Sequence, residues 1–190
     1  MAAVRTFVAV PLPEEYQSAM AEIGKRWKPK LKSKMSWTKP GNWHLTLKFL
    51  GDTRQERIGE LKQALGGVAF EPFSFRAAAG GFFPPIAGAR PNPRVLWVGC
   101  DRGRNASAAL AKSVETAVEP LGYKPERRPF SPHLTIARIR RAANDPWNEI
   151  MQDLAETDWP ELTIDRFELL KSDLSPQGPT YTPLAVFPGR

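Results

Sequence analysis

The segment WHLTLKFLG, residues 43–51, has a second copy in PHLTIARI, residues 132–139. In each copy a histidine is followed by Leu, Thr and another aliphatic residue. His44 and His133 are the only two histidines among 190 residues, and they lie 89 positions apart. Repetition at a fixed separation is typical of duplicated structural units. The sequence therefore predicts two diverged copies of one unit, related by a pseudo-twofold axis.

The residues before the two histidines support this interpretation. Lys39-Pro40 stands five and four residues before His44, and Arg128-Pro129 stands at the same offsets before His133. No long linker or low-complexity segment separates the halves. We expect residues 1–190 to form a single domain with two lobes.

Hydrophobic periodicity alternates between strand and helix patterns along the chain. Strand patterns cover residues 4–10, 35–38, 44–51, 73–83, 94–100, 132–139, 162–173 and 181–187. A Pro- and Gly-rich loop follows residue 83, and a turn is expected at residues 175–180. Helix patterns cover residues 13–27, a segment capped by Thr53 and Glu56 and ending at Leu65, a segment capped by Asn105, and one that opens at Asp145-Pro146. The fold class is therefore α+β, with antiparallel or mixed sheets facing a central cleft and helices outside.

The two histidine segments carry their polar side chains on one face. Successive side chains of a strand point to opposite faces, so His44 and Thr46 lie together and Leu45 lies opposite. The same holds for His133 and Thr135. Two such strands facing each other would bring two imidazoles and two hydroxyls into one cleft.

This quartet suits displacement at a phosphodiester. An in-line reaction at phosphorus needs a base on the incoming oxygen and an acid on the departing oxygen. Because the pKa of imidazole lies near neutrality, one histidine can act as base and the other as acid. The threonine hydroxyls would hold the non-bridging oxygens, and this scheme needs neither a metal nor another cofactor.

Three other interpretations of the histidines are less well supported. A single strand histidine is commonly a structural residue bonded to a carbonyl, but duplication disfavours this for both. A zinc site would need more ligands than two histidines without a CxxC or HExxH motif supply. A serine hydrolase is disfavoured because no GxSxG motif is present.

The chain carries a formal charge of +7, which favours a polyanionic partner. The densest basic cluster is KRWKPKLKSK, residues 25–34, although a solvated helix end would have the same composition. No apolar run is long enough to span a membrane, and no signal-peptide cleavage site follows the N terminus. The chain has a single cysteine, Cys100, and so cannot form an internal disulfide, which favours a reducing compartment. We therefore expect a cytoplasmic protein without membrane association. The sequence gives no sign of an obligate protein partner.

The sequence resembles the two-histidine phosphoesterase superfamily, specifically the RNA 2′,3′-cyclic phosphodiesterases, also described as 2′-5′ RNA ligases. The resemblance is carried by five segments along nearly the whole chain: RTFVAVPLPEE, NWHLTLKFLG, RPNPRVLWVG, ERRPFSPHLTIAR and LLKSDLSPQGPTY. It implies a bilobal α+β fold with a site between the lobes. It also implies hydrolysis of RNA 2′,3′-cyclic phosphate ends, including those of tRNA halves, to 2′-phosphomonoesters, and a reverse ligation. No cofactor is implied.

The resemblance also implies residue roles. His44 would be the proton donor, His133 the proton acceptor, and Thr46 and Thr135 the phosphate ligands. The two motifs are nearly symmetric, so the residues alone do not decide which histidine is the acid.

Arg138 matches an arginine of the family that contacts the phosphate. Strict alternation places it opposite His133, unless the strand ends or bulges after Ile136 or the side chain acts from the strand edge. Lys48 has the parity to join His44 and supply charge, or it is a solvated lysine at a strand end. Relatives commonly carry Arg where this chain has Ser36, so the resemblance does not imply a phosphate contact at that position.

An aromatic ring at the cleft rim would stack on the terminal base. Phe82 and Phe83 are the candidates, with core packing as the alternative for at least one of them. Trp43 and Phe49 have core parity by alternation. Two other functions stay open: a phosphodiesterase acting on 2′-5′-linked oligonucleotides or small cyclic phosphates, and a non-catalytic protein that binds RNA ends.

Overall fold

The computed structural model describes residues 3–86, 92–176 and 178–189. In chain order its elements are β1 (Ala3–Pro11), α1 (Glu14–Trp27), β2 (Lys34–Trp37), β3 (His44–Arg54), α2 (Ile58–Gly66), β4 (Phe73–Phe83), β5 (Val95–Arg102), α3 (Arg104–Val118), β6 (Leu134–Arg141), α4 (Trp147–Glu156), β7 (Glu161–Ile164), β8 (Arg166–Ser175) and β9 (Gly178–Pro188). The predicted α+β class is confirmed. Residues 87–91 of the predicted loop and Gln177 of the predicted turn lie outside the described residues.

The strands form two antiparallel sheets. The first has the order β3-β1-β8-β9, and the second has the order β2-β6-β5-β4-β7. Helices α2 and α3 pack together against the first sheet, and α4 packs on β4 of the second. Helix α1 joins α4, because Arg26 and the Trp27 indole both donate to Asp153. The helices therefore cover the outer faces, as predicted.

The two halves of the chain are interlocked through their last strands. The first half runs β1-α1-β3-α2-β4, and the second half repeats this order as β5-α3-β6-α4-β8. Strand β4 pairs with β5 of the second half, whereas β8 pairs with β1 of the first. Each sheet therefore contains strands from both halves, which explains why no linker separates them.

A single large hydrophobic cluster joins the sheets to their helices. Leu45 on β3 and Leu134 on β6 have no exposed surface, as the strand alternation predicted. These leucines fix which face of each strand turns inward, since burying an aliphatic side chain of this size contributes roughly 1.5–3 kcal/mol. The opposite face of each strand is left for the histidine.

A β-bulge interrupts each histidine strand at the same position. On β3, Thr46 pairs with Ala9 and Lys48 with Val8, so Leu47 is the additional residue. On β6, Thr135 and Ala137 pair with consecutive residues of β5, so Ile136 is the additional residue. A bulge shifts the alternation of side chains by one position. Residues after the bulge consequently lie on the face opposite to the one that simple alternation predicts.

Several predicted boundaries were wrong. Strand β3 continues through Gly51, whose positive φ of 75° is accessible to glycine, and ends at Arg54. Thr53 is not a helix cap, because its buried hydroxyl bonds to Thr6 and Tyr123. Helix α3 is preceded by Gly103, so Asn105 lies in its first turn.

The segment predicted as one strand at residues 162–173 is two strands in different sheets. Strand β7 pairs with β4 in the second sheet, and β8 pairs with β1 and β9 in the first. The chain passes from one sheet to the other at Asp165, which lies between them. Within the described ranges, no helix is both long and apolar enough to cross a membrane.

Candidate active site

His44 and His133 make the same hydrogen bond in their respective lobes. The Nδ1 atom of His44 lies 2.8 Å from the carbonyl oxygen of Asn42, and Nδ1 of His133 lies 2.8 Å from that of Ser131. A carbonyl oxygen only accepts hydrogen bonds, so Nδ1 carries the proton in both rings. Each neutral imidazole therefore keeps Nε2 as its basic nitrogen, and this nitrogen is available for proton transfer.

Two aromatic rings pack around each imidazole. Phe7 and Tyr181 lie with their centroids 4.9 and 5.2 Å from that of His44. Phe83 and Trp97 lie 5.1 and 6.2 Å from that of His133. Packing of this kind fixes the ring planes and removes water from one side of each imidazole.

Gly80 and Gly81 on β4 make room on the two faces of the second sheet. A Cβ atom on Gly81 would lie 2.2 Å from the Trp97 indole, and one on Gly80 would lie 2.2 Å from Leu154 of α4. A side chain at Gly81 would displace the indole from its place beside His133. Sequence reasoning missed this contribution, because glycine within a strand indicates only that something approaches closely.

Burial lowers the pKa of both histidines. It lowers the pKa of His44 to about 4; the positive charges of Arg138 and His133 act in the same direction, and the Asn42 carbonyl opposes them. The pKa of His133 is lowered mainly by burial and further by Arg138, with the Ser131 carbonyl acting in opposition. The charge of His133 thus acts on His44, and the charge of Arg138 acts on both rings.

Arg138 reaches the histidine side of the cleft because of the bulge at Ile136. Its charge acts on His133, which directly precedes β6 of the second sheet, and on His44 and Tyr181 of the first sheet. The conflict between strict alternation and an Arg138 near His133 is therefore resolved in favour of the bulge.

Lys48 lies on the other side of β3, so the parity argument that placed it beside His44 was wrong. Its side chain is 2% exposed, and its ammonium donates to the carbonyl of Lys124 at 2.9 Å and to Glu115 of α3 at 3.3 Å. The bulge at Leu47 turns this residue from the cleft to the helix layer.

The bulge at Leu47 also reverses the prediction for Phe49. Its ring is 57% exposed and lies 6.2 Å from that of Phe7, on the side of His44. Trp43, before the bulge, is buried as alternation predicted. Phe82 is 4% exposed and packs on Trp147, so the prediction that it stacks on a base was wrong.

Thr46 and Thr135 are partly buried and precede the two bulges, on the face of their histidines. Thr38 ties the first half to the second motif, because its backbone N–H donates to Ile136 and its hydroxyl to the Thr135 carbonyl. Nothing in the sequence pattern singled out Thr38. Among the described residues, no group of three or more His, Cys, Asp or Glu side chains is arranged to hold a metal ion.

Comparison with protein families gives one match in each half of the chain. The family model described as "LigT like Phosphoesterase" matches residues 10–97 and again residues 98–181. The first match contains His44 and the second contains His133. The duplication predicted from the sequence thus coincides with a repeated family match.

Curated relatives and solved structures are similar over almost the full chain. The RNA 2′,3′-cyclic phosphodiesterase of Archaeoglobus fulgidus is 31% identical over 189 residues, covering 97% of this chain and 99% of that protein. The protein of the same name from Thermus thermophilus is 33% identical, covering 97% and 89%. The crystal structure of TT0787 from Thermus thermophilus matches with a TM-score of 0.76 at 30% identity, covering 97% of both chains. Escherichia coli LigT complexed with 3′-AMP shares the fold, with a TM-score of 0.77 at 22% identity and 99% coverage of both chains.

Proposed function

The chain belongs to the LigT-like phosphoesterase family, and we propose that it hydrolyses RNA 2′,3′-cyclic phosphate ends to 2′-phosphomonoesters. The observation that carries the proposal is the matched pair of imidazoles, each with Nδ1 bonded to a backbone carbonyl and Nε2 available. The curated relatives that cover this chain are named RNA 2′,3′-cyclic phosphodiesterase. Fragments of tRNA with such ends belong to the proposed substrate class.

In the proposed reaction, water attacks phosphorus and the ribose 3′-oxygen departs on the opposite side. Nε2 of His133 accepts a proton from the water, and Nε2–H of His44 protonates the 3′-oxygen. The P–O3′ bond breaks as the new P–O bond forms, so the phosphate stays on the 2′-oxygen. Side chains alone supply the proton transfers, so the proposal includes activity without an added metal.

The proposed acid, His44, must hold a proton that burial disfavours. Its pKa of about 4 belongs to the cleft without substrate. A phosphate anion between the rings raises the pKa of both imidazoles, because an opposite charge stabilises the protonated form. Substrate binding thus favours the protonated form of His44 that the reaction needs.

Thr46, Thr135 and Arg138 are the proposed ligands of the non-bridging oxygens. The threonines share a face with their histidines, and the charge of Arg138 acts on both rings. Such donors stabilise the charge that develops on phosphorus oxygens, and they are already in place before reaction. With a 5′-hydroxyl in place of water, His133 would accept the proton of that hydroxyl as its oxygen attacks phosphorus and His44 would again protonate the departing 3′-oxygen, so 2′-5′ ligation is part of the proposal.

Phe49 and Phe83 are the proposed surfaces for the terminal base. Phe49 presents an exposed ring beside Phe7, and Phe83 is stacked on Trp97 next to His133. An exposed ring on the side of the reacting phosphate can stack on any base, because every base has a π face.

The test is incubation of a short RNA ending in a 2′,3′-cyclic phosphate in buffer containing EDTA and no nucleotide. Products are separated against synthetic 2′- and 3′-phosphate standards, and an RNA with one internal 2′-5′ bond is assayed in parallel. The proposal predicts the 2′-phosphate alone, formed faster than the internal bond is cleaved. A 3′-phosphate product, cleavage of the internal bond at an equal or higher rate, or binding without turnover would contradict it.

A further inference from the structure

Three arginines lie on β6 and just before β5 in the second sheet, near the proposed site. Arg138 and Arg140 belong to β6, and Arg94 precedes β5. The Arg140 Nε donates to the hydroxyl of Ser36 at 2.8 Å, and Arg94 donates to the Arg140 carbonyl at 3.2 Å. We call Arg94, Arg138 and Arg140 the arginine row.

The arginine row differs in its partners from five arginines of the chain, and it shares the lack of a salt bridge among the described residues with others such as Arg5 and Arg141. Five arginines elsewhere pair with carboxylates: Arg26 with Asp153, Arg57 with Glu60, Arg76 with Asp101, Arg102 with Glu161 and Arg166 with Asp165. Within residues 3–86, 92–176 and 178–189, none of the three arginines of the row forms a salt bridge with a carboxylate. All three side chains are exposed, and like charges on neighbouring residues of one sheet favour an anionic ligand.

The Ser36 hydroxyl determines which part of the Arg140 side chain is available. Ser36 pairs with Arg138 across β2 and β6, and a register shift between Lys34 and Met35 leaves Arg140 as an additional residue. Because Nε is bonded to Ser36, the two terminal nitrogens of the guanidinium remain as a forked pair of donors. This fork matches the oxygens of a phosphate diester.

We propose that Arg140, held by Ser36, binds a second phosphate of the substrate: the diester that joins the terminal nucleotide to its 5′ neighbour. This inference rests on the proposed function, which places the reacting cyclic phosphate between the histidines and Arg138. Arg140 lies two residues further along β6, a backbone separation of at most about 7 Å. That separation is comparable to the distance between neighbouring phosphates of an extended RNA strand.

The consequence is selectivity for RNA over mononucleotides. A nucleoside 2′,3′-cyclic phosphate offers only the reacting phosphate, whereas an RNA end also offers the diester that Arg140 binds. Contact with the diester should lower KM and leave kcat nearly unchanged, because that phosphate takes no part in the reaction.

The test compares adenosine 2′,3′-cyclic phosphate with its 5′-(methyl phosphate) derivative, which adds one diester charge and no second base. The native protein should have the lower KM for the derivative. Arg140→Ala should reduce that KM advantage roughly fivefold, the scale of one exposed charge contact. Arg140→Lys should retain part of the advantage and Ser36→Ala most of it, and Lys62→Ala, which removes an equal charge from α2, should leave the advantage unchanged.

The outcomes separate the two proposals. If the native protein hydrolyses neither compound nor a cyclic-phosphate RNA, the proposed function fails and this inference fails with it. If it hydrolyses both compounds with equal KM, or if Arg140→Ala raises both KM values by the same factor, only the assignment of Arg140 fails.

Discussion

Phe49 and Arg138 are structural counterparts in the two lobes: each is the fifth residue after a histidine of the cleft. Each follows a bulge, at Leu47 or Ile136, that turns it toward the side of that histidine. One lobe thus contributes an exposed aromatic ring and the other a guanidinium at equivalent places. The duplication preserved the position while the chemistry diverged, which makes the cleft asymmetric around symmetric histidines.

Phe49→Ala should weaken substrate binding without destabilising the fold. The ring is mostly exposed, so its removal costs little packing, whereas loss of base stacking should raise KM about tenfold. Steady-state kinetics on a cyclic-phosphate dinucleotide measure this. Leu174→Ala is the matched control, since Leu174 is 68% exposed on β8 and should leave KM unchanged. An unchanged KM in Phe49→Ala would remove this ring from the proposed base site.

Arg138→Gln should raise the pKa of both histidines, because the Arg138 charge lowers both. The two imidazole signals can be followed separately by NMR during a pH titration. In the native protein the His44 signal should titrate near pH 4 and that of His133 below 6.5. In Arg138→Gln both midpoints should move to higher pH, whereas Arg141→Gln, at the end of the same strand, should move neither. A shift of one signal alone would mean that Arg138 acts within a single lobe.

The same pKa shifts predict how stability depends on pH. Since the folded pKa of His44 lies below its ordinary value of 6.5, the unfolded chain binds more protons between pH 6.5 and 4. This histidine therefore reduces the free energy of unfolding as pH falls from 6.5 toward 4. His44→Gln should show a shallower decline over that interval in urea titrations, and an unchanged slope would contradict the lowered pKa.

Lys48→Met should lower the free energy of unfolding by about 2 kcal/mol, because it leaves the partly buried Glu115 carboxylate without this partner. Urea denaturation measures the change, and Lys62→Met on the surface of α2 is the matched control. Glu115 keeps its bonds to Lys112 and to the Glu126 N–H, so the loss should stay below that for an isolated buried pair. If the free energies of unfolding of Lys48→Met and the control differ by less than about 0.5 kcal/mol, the Lys48 network does not stabilise the fold.

How far sequence reasoning reached can be seen within β3. Alternation placed residues 44–47 correctly, and it failed for Lys48 and Phe49. The bulge at Leu47 cannot be recognised from the hydrophobic pattern, because the next residue is a lysine that could lie on either face. The only sequence signal of a bulge is in β6, where alternation places Arg138 opposite His133 but the family role places it at the phosphate.

The sequence pattern also did not predict that the chain passes from one sheet to the other near Asp165. Residues 162–173 have the composition of one strand, and Asp165 is a minor interruption in it. Which sheet each part joins depends on partners far away in sequence, β4 for β7 and β1 for β8. Such pairing is a property of the whole fold, so local periodicity could not predict it.

The proposed roles of the histidines predict unequal rescue by a better leaving group. Replacing the 3′-bridging oxygen of the cyclic phosphate by sulfur gives a thiolate, which departs without protonation. His44→Ala should therefore hydrolyse the sulfur substrate much better than the oxygen substrate, and His133→Ala should be slow on both, by about 10²–10⁴ for a missing general base. If His133→Ala is the variant that sulfur rescues, the acid and the base are exchanged.

The central claim, that both imidazoles bind one phosphate, is tested most directly by NMR titration with adenosine 2′-phosphate. The chain has only two histidines, so each imidazole signal can be assigned from a single substitution. We expect both signals to shift with one common Kd and both pKa values to rise on binding. A shift of only one signal, or two different Kd values, would contradict a site shared by His44 and His133.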